Sequence, residues 1–355
     1  MDDDIYRQLA GHLDELPDGF LSNDINADVR LLKRLFTPEE AALAVHLTLD
    51  REGVEVIAER ASLTMEETEQ RLKEMAHKGL IFSVEQGDGH TLYQAAPFVI
   101  GIYEFQVNRL SKGLLRDLAY HWRAMDEQQD ETNVPQTRII PVGKSLDPHL
   151  EVLAYEQVHE IVKSRRSFAV APCICRRTAK MTRGGCDAPE ESCLVFDEWA
   201  DFYVRDGRAR RIEQEEVFEI LERADQANLV LQPSNSKDAS FICCCCGCCC
   251  GILDGLKNHP RPAEVVASSF IAALDDELCT GCWVCRERCQ MGALSEDGSR
   301  VVLNQERCIG CGLCTTTCPS GALTLIRKEP KRQTEIPATM DDTWKMISMT
   351  QNRQK

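Results

Sequence analysis

The stretch that decides the fold reads CTGCWVCRERC from Cys279 to Cys289 and CIGCGLCTTTC from Cys308 to Cys318. Both runs have the spacing C-x2-C-x2-C-x3-C, and the second begins 29 residues after the first. The likeness extends past the cysteines, because Met291-Gly292-Ala293-Leu294 aligns with Ser320-Gly321-Ala322-Leu323. Thiolates separated by two residues in a tight loop reach one metal centre together. Gly281, Gly310 and Gly312 suit loops whose backbone must come close to the centre and offer N–H groups to sulfur. Val301-Val302-Leu303 and Leu323-Thr324-Leu325 read as strands. A zinc ribbon needs only two CxxC pairs, fewer ligands than these two four-cysteine runs present.

This pattern resembles the bacterial two-cluster ferredoxins over residues 275–327. The resemblance implies two [4Fe–4S] clusters with crossed ligation. Cys279, Cys282, Cys285 and Cys318 would hold one; Cys308, Cys311, Cys314 and Cys289 would hold the other. One position departs from the family: Pro319 follows Cys318, but Gln290 follows Cys289. Proline shapes the turn and donates no ligand, so the ligand set is untouched.

The remaining composition bounds the setting. With 355 residues, 43% of them apolar, the chain is long enough for two or three domains with ordinary cores. A formal charge of −16 disfavours nucleic acid and anionic membranes, and suits a redox partner with a basic docking patch. No apolar run reaches the roughly 18 residues of a membrane span. Met1-Asp2-Asp3-Asp4 does not read as a secretory signal, so a cytoplasmic location is expected. Thiols stay reduced there, and 19 cysteines, none before Cys173, point to metal ligation rather than disulfides.

Residues 1–130 contain no cysteine. Thr37-Pro38-Glu39-Glu40 and Thr64-Met65-Glu66-Glu67 are capping boxes that open helices, with a shorter helix at Val54–Arg60 between them. Gln86-Gly87-Asp88-Gly89 joins two β-prone runs, Ile81–Glu85 and His90–Gln94, into a hairpin. This element order resembles a winged helix of the MarR type. The segment carries 13 Lys and Arg against 25 Asp and Glu. The helix that would enter DNA begins with Glu66, Glu67 and Glu69, where phosphates demand cations. A packing or protein-docking module is the better expectation.

Residues 131–150, with Pro135, Pro141 and Pro148, read as a linker to a cysteine-rich middle domain at 151–270. There Val152, Leu153, Tyr155, Val158, Ile161 and Val162 form a helical stripe, and Phe168–Ala171 a strand running into Pro172-Cys173-Ile174-Cys175-Arg176. If that strand continues, Cys173 and Cys175 leave one face. Cys186 and Cys193 would then complete a third metal site, with Arg176, Arg177 and Lys180 stabilising thiolates. Further on, Cys243-Cys244-Cys245-Cys246-Gly247-Cys248-Cys249-Cys250 packs seven cysteines into eight positions. An extended chain sends Cys243 and Cys245 one way and Cys244 and Cys246 the other, until Gly247 lets it turn. One cluster cannot use all seven. Cys243, Cys245, Cys246, Cys248, Cys249 and Cys250 are therefore candidates for a further metal or thiol redox site.

From Val152 to Leu325 the chain is similar to multi-cluster iron–sulfur proteins of anaerobic bacteria and archaea, described as 4Fe-4S ferredoxin-type proteins. That likeness implies cofactors but no assigned reaction. Arg205-Asp206-Gly207-Arg208 reads as a solvated basic turn, and the histidines show no ligand spacing. The tail at 328–355 either docks through Trp344 and Met346 or stays free.

The expected class is α+β: a winged-helix-like module, a mixed α/β cysteine-rich middle, and a two-cluster ferredoxin fold at 271–327. The leading functional expectation is electron transfer through two [4Fe–4S] clusters, with a third iron–sulfur cluster or metal in the middle. One alternative is the iron–sulfur subunit of an anaerobic oxidoreductase with chemistry at the central cysteines. Another is a redox-sensing winged-helix regulator.

Overall fold

Local signals set the first elements of the computed structural model, which describes residues 2–125, 134–146, 150–298 and 300–351. Thr37 Oγ1 accepts the Glu40 N–H at 3.2 Å, and the Glu40 carboxylate accepts the Thr37 N–H at 2.9 Å. This reciprocal cap starts the helix Pro38–Ala44. Thr64 caps Met65–Lys78 in the same way from one side, and Gly79, at φ +74°, ends it in the left-handed region. The hairpin follows as β1 (Ile81–Glu85) and β2 (Thr91–Ala95), antiparallel, with Ile81 opposite Ala95.

These elements belong to the first of two units, with the helices Asp2–Asp14, Ile25–Leu35, Val54–Ala61 and Lys112–Met125. Ile57, Leu72 and Met75 bury the inner helix faces. His121 is fully buried, 2.8 Å from Asp28 through Nδ1 and stacked on Phe20, so it is a core histidine. Arg205–Arg208 belongs to this unit too. Arg208 is only 3% exposed and donates to the carbonyls of Ala76 at 2.7 Å and His77 at 2.8 Å. Arg208 is thus a buried cap on the C-terminal carbonyls of a helix, whereas Arg205 and Gly207 of the expected solvated turn are exposed. Trp344, on the helix Met340–Gln351, is 1% exposed, so the docked alternative for the tail holds.

The second unit runs from Val134 to Met340, apart from that insertion. Its sheet has the order β5-β3-β4-β7-β6, antiparallel throughout, from β3 (Phe168–Pro172), β4 (Glu191–Phe196), β5 (Arg210–Ile212), β6 (Val230–Pro233) and β7 (Phe241–Cys245). The pairing β3–β4 shifts register at Ala171/Pro172, where proline has no N–H to give. The chain turns there: Cys173 becomes the N-cap of the helix Ile174–Arg183 and Cys175 lies in its first turn. The expectation that both sit on a strand is corrected accordingly.

Two further strand pairs follow, β8 (Phe270–Leu274) with β11 (Leu323–Arg327), and β9 (Leu294–Asp297) with β10 (Arg300–Leu303). One hydrophobic core runs from Ile139 and Ile140 through Leu194, Ile242 and Cys244 to Met291, Ile309 and Leu313. The expected linker contributes to it. Ile140 bridges to Leu231, and the Val142 N–H reaches the Cys311 carbonyl at 3.1 Å. Apolar Ile139-Ile140 between the prolines explains that burial. Residues 131–133 and 147–149, Pro148 among them, lie outside the described residues. Among the described residues, no helix is long and apolar enough to cross a membrane.

Candidate metal centres

Cys279, Cys282, Cys285 and Cys318 line one recess, walled by Leu274, Val301 and Leu323. Three of these sulfurs come from the first cysteine run and the fourth from the second. The loop bends at Gly281, φ +66°, and at Trp283, φ +65°, to bring the three together. Burial raises the Cys285 thiol above its ordinary pKa, and Cys282, Cys318 and Cys279 beside it add to the shift. For Cys318 burial pulls upward, but N–H groups of Leu323, Ser320 and Ala322 and the Ser320 hydroxyl hold it below. Anionic sulfur is therefore prepared with hydrogen-bond donors.

Cys308, Cys311 and Cys314 stand with Cys289. Burial pushes the Cys311 thiol up to about 12, and Cys308 and Cys289 reinforce it. Cys314 too is raised well above its ordinary value, by burial and by Cys311, Cys308 and Cys289. The Ala272 N–H donates to Cys308 Sγ at 3.3 Å, and the Ala293 N–H to Cys289 Sγ at 3.2 Å. Close approach of the loop depends on glycine. A Cβ on Gly310, at φ +74°, would lie 2.2 Å from the Phe270 carbonyl oxygen. Clustered, largely buried thiols that repel one another as anions, with backbone N–H groups donating to Cys308 and Cys289, fit the donor set an inorganic cationic core requires.

Residues 301–324 match the 4Fe-4S binding domain family. The matched segment contains Cys308, Cys311, Cys314 and Cys318; a 4Fe-4S binding domain there, together with the cysteine cluster, fits an iron–sulfur protein. The chemistry such a domain supplies is transfer of single electrons. No curated protein and no solved structure matches the chain.

The middle cysteines divide into two groups. Cys186 Sγ lies 3.8 Å from Cys246 Sγ and 3.7 Å from Cys249 Sγ, and Cys248 Sγ lies 3.7 Å from Cys249 Sγ. All four sulfurs fall within 4.8 Å of one another. Two local devices build this quartet. Gly184 and Gly185, both with positive φ, end the helix Ile174–Arg183 and swing Cys186 inward. After β7 the Cys250 N–H folds back onto the Cys246 carbonyl at 3.1 Å, closing a turn.

A second row, buried at Cys245 and Cys250 and half-buried elsewhere, links Cys173 to Cys175, Cys175 to Cys250, Cys250 to Cys245, Cys245 to Cys243 and Cys243 to Cys193. Cys193 and Cys243 are direct partners across β4 and β7. Gln232 Nε2 adds a donor 3.6 Å from Cys250 Sγ. Hydrogen bonding from Cys175, with help from Arg176, brings the Cys173 thiol down to about 7. Cys244 packs in the hydrophobic core, and burial pushes its thiol up to about 12.

Sequence reasoning grouped Cys186 with Cys173, Cys175 and Cys193. The structure brings Cys186 to Cys246, Cys248 and Cys249, and the other three to the row. It also shows what Gln290 does. Its Oε1 accepts the Gly247 N–H at 2.9 Å and its Nε2 donates to the Asn228 carbonyl at 2.8 Å. Gln232 and these bonds of Gln290 were not foreseen. The one available signal was the missing proline after Cys289.

Proposed function

We propose that this protein relays single electrons through two [4Fe–4S] clusters, one held by Cys279, Cys282, Cys285 and Cys318 and the other by Cys308, Cys311, Cys314 and Cys289. The observation that carries the reading is the recess in which Cys318 joins the three thiols of the other run. The N–H donors around Cys318, Cys308 and Cys289 would stabilise the charge of bound clusters and so help set their potentials. A net charge of −16 favours encounter with a basic redox partner.

The first unit, read as winged-helix-like, would serve as a docking module. Glu66 and Glu67 in the first turn of Met65–Lys78 weigh against contact with phosphates. A gel shift at low salt, with cluster-loaded and cluster-free protein, tests this part; binding in either form would favour the regulator.

Iron and acid-labile sulfide counts on anaerobically prepared full-length protein, together with EPR of the reduced form, test the relay. Spectra of two interacting cubanes are expected. Zinc in place of iron at residues 275–327 would overturn it.

A second reading, thiol chemistry in an oxidoreductase subunit, is favoured by the row of adjacent thiols from Cys173 to Cys193. There two thiols would yield a disulfide, two protons and two electrons, the electrons passing to the clusters one at a time. Alkylation of the row before and after anaerobic treatment with an oxidised dithiol distinguishes it, because inert thiols would react equally in both.

A further inference from the structure

The quartet in the middle of the chain has a geometry that selects among metal centres. Four sulfurs bound at about 2.3 Å to one ion at tetrahedral angles stand about 3.8 Å from one another. Three of the six sulfur–sulfur separations among Cys186, Cys246, Cys248 and Cys249 are 3.7, 3.7 and 3.8 Å, and all six are within 4.8 Å. In a cubane each thiolate takes a different iron, so the sulfurs are held farther apart than ligands that share one ion. The same chain offers the contrast. Among the described residues, Cys186, Cys246, Cys248 and Cys249 are the one set of potential ligands closed to within 4.8 Å. The two ferredoxin-like sets are not drawn in to that degree.

From this geometry we infer that Cys186, Cys246, Cys248 and Cys249 form a tetrathiolate site for a single divalent ion of the zinc or ferrous class, separate from both ferredoxin-like sets. Binding replaces four S–H protons, which leave to solvent, with four metal–sulfur bonds, and the site then carries a net charge of two minus. Its surroundings supply cations. Arg176 is fully buried, its charge faces Cys173, Cys246 and Cys245, and its Nε has no hydrogen-bond partner among the described residues. Arg183 donates to the Cys248 carbonyl at 3.2 Å, and Lys257 to the Gly247 carbonyl at 3.1 Å. Such donors around a four-sulfur site hold the ligand loops in place and offset the charge. The bond from Gly247 to Gln290 adds rigidity and sets the quartet beside Cys289.

The inference does not depend on the ferredoxin reading. Its test compares metal and acid-labile sulfide in anaerobically purified full-length protein with Cys186→Ser and Cys248→Ser. Cys248 is exposed, so its substitution should spare folding, which the visible absorbance of the remaining clusters would report. Both variants are expected to lose one zinc, or one iron, per chain with sulfide unchanged. A parallel loss of iron and sulfide in equal amounts would mean a cubane at the quartet and overturn the proposal. Unchanged metal would overturn it as well. Exchange of cobalt into the wild-type chain gives a second readout: tetrahedral thiolate bands are expected, weakened in Cys248→Ser, and their absence from the wild type would also overturn it.

Discussion

Gln290 Oε1 accepts the N–H of Gly247 at 2.9 Å, joining the turn between Cys246 and Cys248 to the residue after Cys289. In the second cysteine run the equivalent position is Pro319, whose side chain has nothing to offer a backbone amide. At this position the chain has a hydrogen-bonding residue that ties the central thiols to the ferredoxin-like half. Space is tight as well, because a Cβ on Gly247 would stand 2.9 Å from Gln290 Oε1 and 3.1 Å from its carbonyl oxygen.

Replacing Gln290 with Ala leaves the Gly247 N–H and the Asn228 carbonyl without this partner, at a cost of about 1–3 kcal/mol. Gln290→Pro, which restores the usual ferredoxin residue, should be no better. Chemical denaturation of both variants checks this, and a Gln290→Pro protein as stable as wild type would refute the role given to the side chain.

Gly310→Ala should disrupt the second cysteine loop, since its Cβ would lie 2.2 Å from the Phe270 oxygen on β8. Gly321→Ala is the control: φ is +68° there, yet nothing lies within 4 Å. Left-handed strain alone costs roughly 1–2 kcal/mol. Iron retention after anaerobic purification should fall for Gly310→Ala and stay near wild type for Gly321→Ala.

Cys282→Ser and Cys311→Ser should each lower iron and sulfide together by the content of one cluster, if ligation is crossed as proposed. Pairing each with Cys318→Ser separates the sets. The double variant Cys282→Ser with Cys318→Ser should lose no more than Cys282→Ser alone, whereas Cys311→Ser with Cys318→Ser should lose both clusters. Additive loss in the first pair would reject the crossed arrangement.

Trp344→Ala removes a large, fully buried side chain from the first unit, with an expected loss of about 3–5 kcal/mol. Thermal unfolding followed by circular dichroism should show the shift. Metal content, which belongs to the second unit, should be unchanged. A Trp344→Ala protein with an unaltered transition would mean that the C-terminal helix adds little to the core.

Much of the local structure could be read from the sequence because short-range chemistry fixes it. The Thr37 capping box, the Gly79 stop and the hairpin between Ile81 and Ala95 each depend on neighbours a few residues apart. What eluded sequence reasoning depends on distant partners. Cys186 meets Cys246 and Cys249, 60 and 63 positions further on, and nothing in the cysteine spacing announces that pairing, even though the positive-φ glycines before it are local. Arg208 looked like a surface cation because its carbonyl acceptors, Ala76 and His77, lie about 130 positions earlier in the chain. The apolar pair Ile139-Ile140 was the visible hint that the supposed linker was interior.

Of the 19 cysteines, Cys248 and Cys282 are the two that stand exposed. One lies at the rim of the quartet and the other at the mouth of the recess shared with Cys318. Each of these two four-sulfur sets therefore has a single exposed thiol that a bulky label can attack from solvent, whereas the set of Cys308, Cys311, Cys314 and Cys289 has none. Maleimide uptake by the intact chain, resolved by peptide mapping, thus becomes a pair of independent gauges for how fully each place is filled.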